Sequence, residues 1–501
     1  MDLGVVEQKQ RELWDRCRHP TGKWQPTDWR TLAQSIPDRI AAIASSRPHQ
    51  LAVYDHRTSL TFGELDSEAN RIANGILAGC GPGQEVVALL VGVDVPALTA
   101  ALAVFKSGKT LVALEPSYPK ERSLQILADC GAQYIVADGQ RLAQALDLAG
   151  PECQVAELED LATAEPRAPG VPVPLDAMSV LVYTSGSSGR PKAVAQSHDS
   201  SLAQALRGFS QYHPSDADRV AFYGHLAWAG TIWNLFGPLC HGASSGVFDF
   251  RQLGTHRLAT WMRQAKPTIL IGRTLTRQII EHHPEQRFAS VRLVRMGGDT
   301  IYRRDVETCL RVFPNSQFGT GLGLSETGLV THLLLDTPEM FGGEVLPLGY
   351  PVPGLRIALL ADDGQEVKPG DVGEIIVQGP GMATGYWRRP DLTAAKFRQV
   401  DALGPRKAVF TGDLGRQTPD GMLHHKGRTD HMVKVRGLQV FTNEIEGILR
   451  SVDGVKEACV VAHTLPEGTR RLVGYLVVDE QAFPGVAALH THCLLYTSDA
   501  A

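Results

Sequence analysis

Long apolar runs are missing from this 501-residue chain: no stretch approaches the roughly 20 residues that a bilayer-spanning helix requires. The opening MDLGVVEQKQRELWDR also lacks the apolar centre of a secretory signal, so a cytoplasmic protein without membrane insertion is expected. An excess of positive charge is absent too. With 49 Lys and Arg against 54 Asp and Glu the formal net charge is -5, which sets up no field to draw in nucleic acid or an anionic surface. The eight cysteines include no CxxC pair and no His-linked spacing, which favours reduced, mostly packed thiols over a zinc site. No internal repeat is visible. What is there, 43% hydrophobic and 21% charged residues, is the composition of a folding globular protein, and the length asks for two or three cooperating lobes.

Thr61 and Glu64 form a capping box ahead of apolar residues Leu65, Ala69, Ile72, Ala73, Ile76 and Leu77, which predicts an amphipathic helix stopped by Gly79 and Gly81. A short apolar run, Val86 to Val91, is followed by the helix-like PALTAALAVFKSG and a second run, Thr110 to Leu114. Strand, helix, strand with uniformly apolar strands predicts parallel sheets covered on both faces, and the pattern returns after residue 178. Residues 161–177, rich in Pro, Ala and Gly, read as a loop, Val291 to Val294 as a strand, and DVGEIIVQGPGMATGYW as part of a β-rich subdomain. From Gly427 the chain changes character, with NEIEGILRSV as a helix and ACVVAH and LVGYLVVD as strands. The expectation is an α/β fold: a 1–34 extension, a large domain of two helix-flanked sheets plus a β-rich subdomain over 35–427, and a small α+β lobe over 428–480.

In LVYTSGSSGRPK an apolar strand end runs into Thr, Ser and Gly residues and then Lys192. Glycines let backbone N–H groups converge on phosphate oxygens, the hydroxyls of Thr184, Ser185, Ser187 and Ser188 add donors, and Lys192 adds charge. A flexible Ser/Gly linker is the plainer alternative, but a linker has no need of the lysine. The spacing does not fit GxxxxGK[ST], which disfavours a P-loop GTPase or kinase, and GTGLGLSETG does not have the strand-then-helix setting of a dinucleotide fingerprint.

TSGSSGRPK resembles the signature loop of adenylate-forming enzymes, the superfamily of acyl-CoA synthetases, luciferases and nonribosomal peptide synthetase adenylation domains. LTFGELDSEANRIANGI, FKSGKTLVALEPSYPKER, GLSETG, GEIIVQGPGMATGYW, FTGDLGRQTPDG and GRTDHMVKVRG resemble further blocks of that family, in its order, from about residue 35 to about 480. The resemblance implies ATP-dependent activation of a carboxylic acid to an acyl-adenylate, then transfer to a phosphopantetheine thiol on a carrier protein or on CoA. Such in-line attack at the α-phosphorus needs positioning and charge neutralisation more than a protein nucleophile.

The resemblance assigns residues. Thr184, Ser185, Gly186, Ser187, Ser188, Gly189 and Lys192 would hold the β and γ phosphates. Glu326 would help bind Mg²⁺, with Ser325 near the α-phosphate; Asp413 would grip both ribose hydroxyls, and Arg428 would close over ribose and phosphate. Gly297, Gly298 and Asp299, followed by Thr300, match the GGE segment that lines the adenine and acyl pockets. Gly321, Leu322, Gly323 and Leu324 complete the nucleotide set; Leu322 stands where the family usually has an aromatic residue, so adenine would rest on aliphatic surface. Taken singly, each acid or arginine would read as a solvated surface charge; the ordered set is what argues otherwise.

In amino-acid-activating adenylation domains an aspartate four residues before a pocket Trp pairs with the substrate ammonium, and Ala229, before Trp233, stands there. A buried ammonium without a carboxylate is costly, so an aliphatic or aryl acid is favoured over an α-amino acid. His225, Trp228 and Trp233 are pocket candidates, with core aromatics and a hydrogen-bonded structural histidine as the equal alternative. Asp430 matches the hinge about which the C-terminal lobe rotates, and Gln439 matches a glutamine of coumarate ligases and luciferases. The family's C-terminal lysine segment has no counterpart, and 481–501 matches nothing expected of the lobe. The expectation is therefore a fragment of doubtful activity, with a non-catalytic ATP or acyl-AMP binding module as the alternative.

Overall fold

The computed structural model describes residues 34–184, 191–298, 301–337, 345–400, 403–429, 432–435, 438–450, 452–465, 470–479 and 481–489. Two large sheets share one core. In the first, of nine strands, Gln317–Thr320, Leu293–Arg295, Ile269–Ile271, Arg219–Phe222, Ser244–Val247 and Leu51–Tyr54 run parallel in that spatial order, with antiparallel strands at both edges. In the second, of seven strands, Met178–Thr184, Thr110–Ala113, Val86–Leu90, Tyr134–Ala137 and Gln154–Glu157 are parallel, and Lys192–Ser197 and Gly385–Tyr386 add an antiparallel edge.

The strand Val86–Leu90 shows why its sequence is apolar throughout. Val87 and Leu89 face the core between the sheets, while Val86, Ala88 and Leu90 face a second cluster on the outer side, so both faces are buried. Helices Phe62–Cys80, Val95–Lys106, His198–Ser210 and Ala229–Cys240 fill the space between the two sheets. Further helices, among them Arg273–His282 and Arg303–Val312, cover the outer face of the nine-stranded sheet. The expected α/β architecture of two helix-flanked sheets is thus present. The capping box of Thr61 and Glu64 is also formed, both reciprocal bonds being made. Gly79, expected to stop that helix, lies inside it; a Cβ there would fall 2.3 Å from the Tyr134 phenol oxygen, so the glycine serves close packing, and Gly81 is the cap.

A five-stranded antiparallel sheet comprises Arg356–Leu360, Val372–Gln378, Phe397–Val400, Gly404–Gln417 and Leu423–Arg428. Gly385–Tyr386, read from sequence as part of this β-rich unit, instead pairs with Lys192–Ser197 on the seven-stranded sheet. Later strands, Met432–Val435 with Leu438–Phe441 and Val455–Thr464 with Arg470–Val478, pair only among themselves within the described residues. They share a small separate core of Val435, Val440, Ile445, Leu449 and Val460 with helix Thr442–Arg450. Six described cysteines are free, three of them buried. No helix among the described residues is long and apolar enough to cross a membrane.

Candidate active site

Four neighbouring parallel strands of the nine-stranded sheet deliver, at their carboxyl ends, the loop with His225, the start of helix Arg273–His282, the Gly297–Gly298 turn and the Glu326 hairpin. In open α/β sheets this edge is where ligands bind. The hairpin pairs Gly323–Leu324 with Gly328–Leu329 around a three-residue loop, and Gly328 takes the φ of +71° that closes such a turn. Gly321, just before it, approaches the Thr331 carbonyl so closely that a Cβ would lie 2.0 Å from that oxygen.

Glu326, at the loop tip, is buried and accepts a 2.6 Å hydrogen bond from the Tyr386 phenol. The Lys192 ammonium stands over the Tyr386 ring, 4.8 Å from its centroid. Burial pushes the Glu326 carboxyl up, but Lys396, the Tyr386 hydroxyl and Lys192 outweigh it and hold the group below its ordinary range, ionised. Lys396 Nζ also donates 2.9 Å to the Thr411 carbonyl, tying this acid to the strand that carries Asp413.

Asp413 is 2% exposed, and its Oδ1 lies 3.1 Å from both Arg428 Nη1 and His425 Nε2. Arg428 is the last residue of Leu423–Arg428 and sits directly opposite Asp413 in the register. The field of Arg428 also reaches Tyr386, whose hydroxyl burial and Glu326 push well above its ordinary value. Lys192 and Glu326, borne on different sheets, thus meet at Tyr386, and the Asp413–Arg428 pair of a third sheet stands near enough for the Arg428 charge to act on the same phenol. Thr184 faces Lys192 across the hairpin, its Oγ1 3.4 Å from the Lys192 carbonyl.

Other expected residues stand as follows. Ser185, Gly186, Ser187, Ser188, Gly189, Asp299, Thr300 and Asp430 lie outside the described residues. Gln439 pairs with Lys434 in its hairpin. Gly298 has a φ of +89°, and Gly297 abuts the Arg295 guanidinium. Leu322 is 5% exposed and packs with Leu324, Leu329 and Val330, inside a cluster rather than on an open aliphatic platform.

His225 is buried: its Nε2–H donates to the Val91 carbonyl at 2.9 Å, and Nδ1 accepts from the Ala227 N–H and lies 3.3 Å from Glu115. Burial depresses its pKa despite Glu115. Trp228 and Trp233 are half-buried against the main core, Trp228 edge-to-face with Tyr223, and Ala229 is buried at the first turn of its helix. His225 is thus hydrogen-bonded within the fold, and both tryptophans touch the main core. Tyr386, Lys396 and His425 were not singled out in sequence. Tyr386 lies in the quoted block ending GYW, whereas nothing local marks Lys396 or His425.

The AMP-binding enzyme family model matches residues 40–387, more than half of the chain. The chain belongs to that family. That match places it in the adenylate-forming superfamily. Tyrocidine synthase 2 of Brevibacillus parabrevis is 29% identical over 458 residues, covering 90% of this chain and 12% of that protein. Malpinin synthetase of Mortierella alpina is 28% identical over 502 residues, covering 96% and 6%. The chain thus spans only a small part of the length of these relatives. Among solved structures, o-succinylbenzoate CoA synthetase from Bacillus subtilis superposes with a TM-score of 0.81 at 22% identity, covering 93% of each chain. An artificially fused adenylation-PCP di-domain from Klebsiella oxytoca gives 0.81 and 22%, covering 93% and 92%. These likenesses establish the fold of an adenylate-forming enzyme.

Proposed function

We propose that this chain activates a carboxylic acid with ATP: a carboxylate oxygen attacks the α-phosphorus, the bond to the β-phosphate bridging oxygen breaks, and pyrophosphate leaves. The acyl group then passes to a phosphopantetheine thiol, AMP departing, with a carrier protein favoured over CoA by the adenylation-domain relatives. The observation that supports the reading is the meeting of Lys192 and Glu326 at Tyr386, with the Asp413–Arg428 pair near enough for Arg428 to act on the same phenol.

Thr184 and Lys192 flank the loop 185–190, whose glycines and hydroxyls would wrap the β and γ phosphates, with the lysine charge offsetting theirs. Asp413, oriented from one side by Arg428 and His425, accepts from the ribose hydroxyls, and Arg428 supplies charge where it builds up at phosphate. Mg²⁺, when bound, neutralises phosphate charge. Among the described residues no group of three or more His, Cys, Asp or Glu forms a closed metal site. A single ionised carboxylate, Glu326, fits an ion that takes its remaining oxygens from phosphates and water. Asp430 is the proposed hinge residue and 428–480 the moving lobe.

For the acid, Ala229 offers no carboxylate for an ammonium, so an aliphatic or aryl carboxylic acid is the proposed substrate class. Pyrophosphate exchange with a panel of aliphatic, aryl and α-amino acids tests the reading. Exchange stimulated by a member of the first two groups is expected; saturable ATP binding with no exchange for any acid would mark a binding module instead.

A further inference from the structure

The loop that carries Glu326 is held by its own carbonyls. Ser325 O accepts from Gln196 Nε2 at 2.9 Å, Glu326 O from the Ala383 N–H at 2.8 Å, and Thr327 O from Nη2 of Arg207. The last donor is unexpected. Arg207, on helix His198–Ser210, is 2% exposed; its Nη1 donates to Pro380 O at 2.8 Å, and its Nε has no hydrogen-bond partner. Among the described residues no carboxylate forms an ion pair with it. Burial lowers its pKa to about 10, which leaves it charged at neutral pH.

Burying a cation without an acid is costly, and an apolar side chain of similar volume would fill the space more cheaply. What arginine adds is a rigid planar fork able to join two carbonyls on different chain segments. Those segments are the ones that fix Glu326. Thr327 follows it directly, and Pro380 leads into Gly381–Ala383, which ends in the N–H bonded to Glu326 O. Gln204, one turn earlier on the same helix, donates to Gly381 O at 2.8 Å. Gly381 must be small here, since a Cβ would lie 2.5 Å from that of Ala203. The cations that depress the Glu326 pKa are Lys396 and Lys192, so Arg207 acts through backbone and not as a counter-charge.

We propose that Arg207 is a positioning residue that clamps the Thr327 and Pro380 carbonyls together and thereby sets where the Glu326 carboxylate stands, so that Mg²⁺-dependent ATP binding depends on it. The proposal rests on the reading of Glu326 as the acid that holds Mg²⁺. The test compares ATP affinity with Mg²⁺ and with EDTA, by calorimetry, for the wild type, Glu326→Gln, Arg207→Met, Arg207→Gln and Arg207→Lys. In Arg207→Met and Arg207→Gln the affinity gained from Mg²⁺ should fall roughly tenfold, as for loss of one charge-assisted hydrogen bond, with metal-free affinity within about twofold of the wild type. Arg207→Lys, which keeps a charged donor, should recover part of the gain. Should Arg207→Met fail to fold, Arg207→Gln and Arg207→Lys carry the same comparison. A full Mg²⁺ gain in folded Arg207 variants, with that gain lost in Glu326→Gln, overturns the clamp alone. An unchanged gain in Glu326→Gln overturns the reading of Glu326, and the clamp with it.

Discussion

The Tyr386 hydroxyl is 2.6 Å from Glu326 Oε1, and through this contact the edge of the seven-stranded sheet meets the tip of the two-stranded hairpin that follows Gln317–Thr320 of the nine-stranded one. Tyr386 has a second partner in Lys192 over its ring. One aromatic side chain thus holds an acid and a cation of the proposed nucleotide site together. Tyr386→Phe keeps the ring and removes the donor. Because that hydrogen bond helps hold Glu326 below its ordinary range, its loss raises the Glu326 pKa. The acid limb of the pH profile for pyrophosphate exchange should therefore move to higher pH, with kcat/KM at neutral pH down about tenfold. An unmoved acid limb would separate Tyr386 from the Glu326 charge.

Asp413 presents its buried carboxylate from between Arg428 and His425. Asp413→Asn retains the shape but can accept at only one atom. ATP affinity should fall roughly 10- to 100-fold, the range of charge-assisted hydrogen bonds, and the preference for ATP over 2′-deoxy-ATP should shrink in parallel. Competition binding with the two nucleotides measures both. A retained preference would place the ribose contact elsewhere.

Gly321 leaves no room for a side chain, because the obstacle at 2.0 Å is the Thr331 carbonyl and no rotamer change can relieve it. Gly321→Ala should cost about 1–3 kcal/mol, seen as a lower urea midpoint at unchanged slope. The hairpin it leads into should be displaced, so Mg·ATP affinity should fall as well.

Histidines held in the interior bias stability with pH. Burial lowers His198 and His241 to about 4 and His332 to about 3, against about 6.5 in an unfolded chain. Below pH 6.5 the unfolded chain takes up protons that the folded one excludes, so stability is full above that pH and declines towards pH 4. The slope is about 1.4 kcal/mol per pH unit for each such proton. Neither ring nitrogen of His198 has a hydrogen-bond partner, and its ring meets Phe105 edge-on. His198→Leu should flatten the urea-midpoint profile between pH 6.5 and 5 by about one proton without loss of stability at pH 7.5. An unchanged slope would refute the neutral, proton-excluding state of His198.

Much of this protein is fixed by local chemistry that a sequence displays. The Thr61–Glu64 box starts its helix because the two residues bond to each other's backbone, whatever lies around them. Val86–Leu90 is a doubly buried strand because every residue in it is apolar. The resemblance of ordered sequence blocks to the family marked Lys192, Glu326, Asp413 and Arg428, which residue type alone would leave as solvated surface charges. Local chemistry could not show that Gly79 continues a helix, because the reason is the Tyr134 ring from a strand more than fifty residues on. Nor could it transfer Tyr386 to another sheet, bring Lys396 to Glu326 or His425 to Asp413, or bury Arg207 between two carbonyls. Those outcomes depend on which surfaces meet when three sheets pack together, and tertiary structure alone decides them because electrostatic and hydrogen-bonding contacts depend on distance in space, not on separation along the chain.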